Sequence, residues 1–283
     1  LCALGLGALY AVQAAALRKR PDWSVLMQAY ALLAVGFATL AVPLALSARA
    51  TASVFALEGA GLVWLGLQRG RRLPQFAGAE LQLAAAVAFA VGVTKGGVEA
   101  DRMIANAGCM GALLMALAGF ASAWTYASAR RLALAGPYYA WALLWWLGNG
   151  LHEVLIFLGR SDEPDALLVF VALTGWLAAE VHRRRPLGAL AWTALLALIA
   201  AAPLALWQAQ VHQQPLGGHG WMAWLVFAGL GFRVLHCLRE GAHHVAALAQ
   251  YIWWLLWPMV GSLLLVQVPE WVPGLGNGWG MAL

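Results

Sequence analysis

Charge is what this sequence has least of. Only 10% of its 283 residues are Asp, Glu, Lys or Arg, against about 25% in an ordinary soluble domain. A soluble chain of this length needs a polar shell, and a composition that is 63% hydrophobic leaves too few residues to build one. Cysteine is scarce as well. Cys2, Cys109 and Cys237 fall in or near apolar segments without any close pairing, so they read as small buried hydrophobes and not as a redox or zinc motif. No P-loop, dinucleotide fingerprint, zincin motif or serine-centred elbow occurs, and no cofactor is implied. Low-complexity tracts are absent, and no linker is long enough to separate soluble domains.

What the sequence has in quantity is long apolar runs. Stretches of about 20 residues recur along the chain, the length a helix needs to cross ~30 Å of hydrocarbon. Many of the sixteen Trp sit near the ends of those runs, as in an interfacial aromatic belt. The fold class is therefore all-α, a polytopic transmembrane bundle read as one domain over residues 1–283. About ten spans are expected, near 1–17, 25–47, 50–68, 79–95, 107–129, 138–159, 166–183, 187–211, 221–238 and 244–267. The first is not a signal peptide, because its positive charges follow the apolar stretch. A start at Leu1 and an end at "GNGWGMAL" suggest a portion of a longer protein.

The seventeen Lys and Arg divide unevenly among the connections. The odd ones, with adjoining helix ends, hold Arg18, Lys19, Arg20, Arg69, Arg71, Arg72, Arg130, Arg131, Arg183, Arg184, Arg185, Arg233 and Arg239. The even ones hold only Arg49, Lys95, Arg102 and Arg160. By the positive-inside rule the odd connections face the cytoplasm and both chain ends face outward. The net charge of +5 is then mainly a topology signal, and nucleic-acid binding is not needed to explain it. Membrane lipids are the expected partners, with other envelope proteins as a further class. A search for a repeat that pairs "ALEGAGLVWLG" with "WWLGNGLHEVLIFLG" finds the shared elements in opposite order, which is too little for an inverted repeat.

Three stretches carry a family resemblance: "LAVPLALSARATASVFALEGAGLVWLGLQRGRR" (40–72), "YYAWALLWWLGNGLHEV" (138–154) and "QQPLGGHGWMAWLVF" (213–227). In this order they resemble the recurring signatures of the bacterial DUF2339 family of predicted membrane proteins. The resemblance implies a multi-pass protein of the bacterial inner membrane, part of a longer chain, and gives no reaction. The third signature commonly opens with His-Pro where this chain has Gln214-Pro215, and a later Pro is replaced by Leu225.

Polar residues inside apolar spans are the candidate functional groups, since a charge at the bilayer centre costs about 3 kcal/mol or more. Glu58 stands mid-span beside Gly59, Ala60 and Gly61, small enough to admit another helix. It is expected to be buried against a neighbour and neutral, as a helix tie or a substrate- or proton-coupling carboxylate. Asn149, His152 and Glu153 lie within about one turn of the sixth span, where a His beside a Glu can relay protons. Towards the cytoplasm, Glu180 and Arg233 are expected to pair, with His182, His236, Arg239 and Glu80 nearby in depth. This group is structural or an anion site. No metal site is expected: His212 and His219 are set apart from His243 and His244 by facing the opposite side.

Three functions fit. The first is a transporter or flippase-like protein for an envelope molecule, drawing on Glu58 with polar groups above and below it. The second is a membrane-embedded transferase on a lipid-linked substrate at the outer face, with acids from Glu99 and Asp101 or from Asp162, Glu163 and Asp165, and His152 as base. The third is an envelope scaffold. Whether the protein is an enzyme is left open.

Overall fold

The computed structural model describes residues 2–17, 23, 26–27, 29–31, 33–34, 37, 48–96, 102–241 and 243–265. Among these there is no strand. The helices are α1 (Cys2–Leu17), α2 (Ala48–Gln68), α3 (Arg72–Gly96), α4 (Ala107–Ser128), α5 (Leu132–Phe157), α6 (Glu163–Arg184), α7 (Gly188–His212), α8 (Gly220–Arg239) and α9 (His243–Leu265). They fall on nine of the ten expected spans. The other, 25–47, lies largely outside the described residues. Six helices, α3, α4, α6, α7, α8 and α9, are long and apolar enough to cross a membrane, and α1 is a shorter apolar helix.

The chain forms two compact units, Leu1–Asn149 and Gly150–Leu283. Both are built from antiparallel helical hairpins of one design. In the first unit, a Cβ on Gly59 of α2 would lie 2.6 Å from the Gly78 carbonyl oxygen and 2.9 Å from Gln82 Cγ of α3, so only hydrogen fits there. A Cβ on Gly119 of α4 would lie 2.9 Å from the Ala142 methyl of α5. In the second unit, Gly175 of α6 meets Ala197 of α7 at 2.7 Å in the same sense, and Gly231 of α8 meets the Trp253 ring of α9. The glycines close the segments Ala-Leu-Glu-Gly (56–59), Ala-Leu-Ala-Gly (116–119), Ala-Leu-Thr-Gly (172–175) and Ala-Gly-Leu-Gly (228–231). Without a hydrophobic drive between helices in lipid, close approach at small residues supplies the van der Waals contact that holds them.

Each first helix then ends in a basic turn. In the first unit the two turns are nearly superposable in their bonding. Arg71 N donates to Gly66 O at 2.9 Å, and Arg131 N donates to Tyr126 O at 2.9 Å. Gly70 and Arg130 take the left-handed conformation at φ 64° and 57°, the residue that ends a helix and reverses the chain. One core cluster of this unit packs Ala52, Ala56, Ala85 and Ala118 around Met115, flanked by the edge-to-face pair Phe89–Trp145. The second unit is instead packed with rings: Trp253 stacks on Phe227 and meets Trp257 edge-on, and Trp257 also lies against Trp224.

Candidate functional site

A groove of about 530 Å³ opens in the first unit among α3, α4 and α5. Arg72 and Arg131 stand at its end beside the two basic turns. Gln75, Gln82 and Tyr126 form a polar strip, and Phe76, Leu83, Leu134, Tyr138 and Trp141 make an apolar wall. The strip is fixed by hydrogen bonds. Tyr126 Oη donates to Gln75 Oε1 at 3.3 Å, and Gln75 Nε2 donates to Arg71 O at 2.9 Å. Gln82 Nε2 donates to Ser122 Oγ at 2.8 Å, and Ser122 donates onward to Ala118 O. The buried Gln82 Oε1 accepts no hydrogen bond among the described residues. The arrangement can receive a molecule with an anionic end and a long apolar body, within the ~300–1,000 Å³ range of ligand pockets.

The second unit holds two polar centres, one at each end of its hairpins. At the end of the basic turns, Glu180 gathers cations. Its Oε2 lies 3.0 Å from Arg233 Nη2, its Oε1 lies 2.6 Å from Arg183 Nη2 and 3.8 Å from Arg184 Nε, and Cys237 Sγ is 3.4 Å from Oε2. The expected Glu180–Arg233 pair is present, with Arg183 as the closer partner. His236 is not part of it; its Nε2 lies 3.3 Å from Glu240 Oε1, one turn along α8. The buried His182 Nδ1 is 3.0 Å from Leu187 O and 3.2 Å from Leu187 N, closing the α6–α7 turn. Glu80 of the first unit is exposed.

At the opposite end, the first turn of α6 meets the 213–219 loop. Trp224 Nε1 donates to Gln208 Oε1 at 2.9 Å, and Gln208 Nε2 donates to Asp165 Oδ1 at 2.7 Å. Asp165 Oδ2 lies 3.5 Å from His212 Nε2, and neither atom has a hydrogen-bond partner among the described residues. His219 Nδ1 is 2.9 Å from Asp162 Oδ1. Glu163 and Asp165 are buried, so these acids are not simply solvated loop groups. Sequence reading set Asp162, Glu163 and Asp165 together but assigned His152 as their base and discounted His212 and His219. The acids here are joined by His212 and His219, and the sequence signals were Asp at i and i+3 opening α6 and a Gln208 one turn before His212. Glu99 and Asp101, the other outer acids, lie outside the described residues.

Glu58 departs from expectation in its burial. It is exposed on α2, on the face shared by Leu57, Gly61 and Trp64, and does not line the groove. The reason is angular: neighbours on a helix are about 100° apart, and Gly59 takes the position facing α3, which turns Glu58 aside. Gly61, expected to admit a helix, meets nothing within 4 Å. The trio in α5 is divided in the same way. Asn149 Nδ2 donates to Cys109 O and Sγ, both at 3.4 Å. His152 is exposed while Glu153 is 4% exposed, so these two side chains occupy different surroundings.

Neither the curated proteins nor the solved structures give a match. The family described as "Predicted membrane protein (DUF2339)" matches residues 1–281, which is almost the whole chain. Together with the membrane-length apolar helices and the three signatures, this places the protein: the chain belongs to the DUF2339 family of predicted membrane proteins.

Proposed function

We propose that the protein binds an amphiphile with an anionic headgroup in the groove of its first unit and moves it across the inner membrane, as a flippase-like transporter of an envelope molecule. The observation that carries this reading is the placing of Arg72 and Arg131 at one end of a groove whose wall along its length is Phe76, Leu83, Leu134 and Trp141. By the positive-inside rule the arginine end lies at the cytoplasmic headgroup level, where a basic pocket between helices attracts an anionic head. Arg suits phosphate oxygens because its planar fork can donate two hydrogen bonds at once. Glu58, in the span next to the groove's walls in sequence, is the proposed coupling carboxylate. The scaffold reading gives no role to an open apolar groove of this size with two arginines at its end.

The test uses the protein purified in mild detergent. Mass spectrometry of its lipid extract should find an anionic phospholipid enriched several-fold over a zwitterionic one, and Arg72→Ala/Arg131→Ala should remove the enrichment. In proteoliposomes the same double variant should lose transbilayer movement of tail-labelled phosphatidylglycerol. Equal retention of anionic and zwitterionic lipids would overturn the binding claim. Retention without movement would overturn transport and leave binding.

A further inference from the structure

We propose that Asp162, Asp165 and His219 bind one divalent metal ion, Zn²⁺ by their chemistry, at the end of the second unit opposite its basic turns. One ligand atom from each of the three lies within 4.8 Å of the others. Two carboxylates and an imidazole are a donor set that Zn²⁺ takes readily. Around a tetrahedral ion with bonds of about 2.0–2.2 Å, ligand atoms stand roughly 3.4 Å apart. The side chains of His219 and Asp162 are 67% and 42% exposed, free to close the remaining distance by rotation.

The second observation is Asp165 itself. The residue is 4% exposed, and its Oδ2 accepts no hydrogen bond among the described residues. Buried carboxylate oxygens in native proteins are satisfied by a donor, a water or an ion. Its one neighbour within ion-pair reach among the described residues, His212 Nε2, stands at 3.5 Å without a hydrogen bond. Asp165 Oδ1 is held by the Trp224–Gln208 chain, which fixes the carboxylate plane, while Oδ2 has only the ion-pair contact with His212. Such an outer layer is what orients metal-ligating carboxylates.

The loop that brings His219 to the site is closed by glycines. A Cβ on Gly217 would lie 2.7 Å from His212 Cβ, a Cβ on Gly220 would overlap the Pro215 carbonyl, and Gly218 has φ 54°. A larger residue at any of these would move His219 away from Asp162. Three protein ligands leave a fourth position open to water or a substrate oxygen, the pattern of exchangeable or catalytic zinc in place of the closed structural kind.

The experiment takes the full chain in detergent, stripped with a chelator and titrated with Co²⁺, whose visible absorption reports coordination, then with Zn²⁺ in competition. One Co²⁺ per chain should bind with a tetrahedral-type band and be displaced by Zn²⁺. His219→Ala and Asp162→Asn, both at exposed side chains and expected to fold, should each weaken binding at least tenfold. Gln208→Ala should weaken it about tenfold to a hundredfold through the Asp165 orientation. His236→Ala, at the exposed His236–Glu240 pair on the other end, should leave affinity unchanged. Absence of a saturable equivalent, affinity unchanged by His219→Ala and Asp162→Asn, or an equal loss in His236→Ala would each overturn the site.

Discussion

The hairpins α2–α3 and α4–α5 match position for position at an offset of sixty residues, and where they differ tells what each is for. Gly59 and Gln82 correspond to Gly119 and Ala142, Gly66 and Gln75 to Tyr126 and Ala135, and the left-handed Gly70 to Arg130. Leu57 and Leu117 are both exposed, as are Trp64 and Trp124. The backbone plan is shared, then, but the amides are not. Gln75 and Gln82 occupy positions that are alanine in the second hairpin, and they bond across to Tyr126 and Ser122 of α4. Glu58 corresponds to Ala118, which is 2% exposed within the small-residue core. A carboxylate is tolerated on α2 because that face is open, and the same position on α4 is filled by a neighbouring helix.

The largest effect that would break this comparison comes from the close-approach glycines. Gly59→Ala should destabilise the protein by about 2–3 kcal/mol, since its methyl meets a helix backbone that cannot yield. Gly119→Ala should cost roughly 1 kcal/mol less, because it meets a methyl group, and better helix propensity offsets part of both losses. Thermal loss of the monodisperse peak in detergent measures this. Equal effects would show that the two hairpins are clamped alike.

The turns should respond in opposite directions. Arg130→Gly should stabilise by about 1 kcal/mol, relieving a left-handed conformation that costs a side-chain-bearing residue ~1–2 kcal/mol. Gly70→Ala should destabilise by about the same amount. If both substitutions destabilise, the Arg130 side chain contributes a contact worth more than its strain.

Smallest is the effect at Glu58. Glu58→Gln should change stability by less than about 0.5 kcal/mol, as at other exposed positions, and Glu58→Leu should not lower it. A fall in Glu58→Leu would reveal a partner for the carboxylate. In the lipid-movement assay the Gln variant should be slowed, and unaltered movement would remove Glu58 from a coupling role.

The helices were legible because hydrocarbon thickness fixes their length, and Arg-rich connections mark where one ends and the next begins. The Glu180–Arg233 pair was legible for a related reason: a deep arginine needs a carboxylate at the same depth. Rotation about a helix axis was not legible, and Glu58 is the result. A polar residue in mid-span says nothing of which way it faces until the neighbouring glycine is known to be the contact. The Asp162–Asp165–His219 grouping escaped because its members are brought together by a loop closing over distant sequence. The hairpin repeat escaped for a simpler reason. "ALEGAGLVW" finds its counterpart in "ALAGFASAW" as a direct repeat, which pairing segments in opposite order does not reveal.

The hairpin design also has a bearing on parity. Each repeat enters and leaves its hairpin at the same end, with a basic turn between the two helices and a glycine clamp 19 to 23 residues before its partner. Gaining or losing one whole hairpin changes the number of crossings by two, so every other segment keeps its side of the membrane. A single-residue insertion between glycine and turn, by contrast, rotates the clamp by about 100° and removes it from its contact. Length variation in such a chain is therefore expected in steps of one hairpin, with orientation conserved through each step.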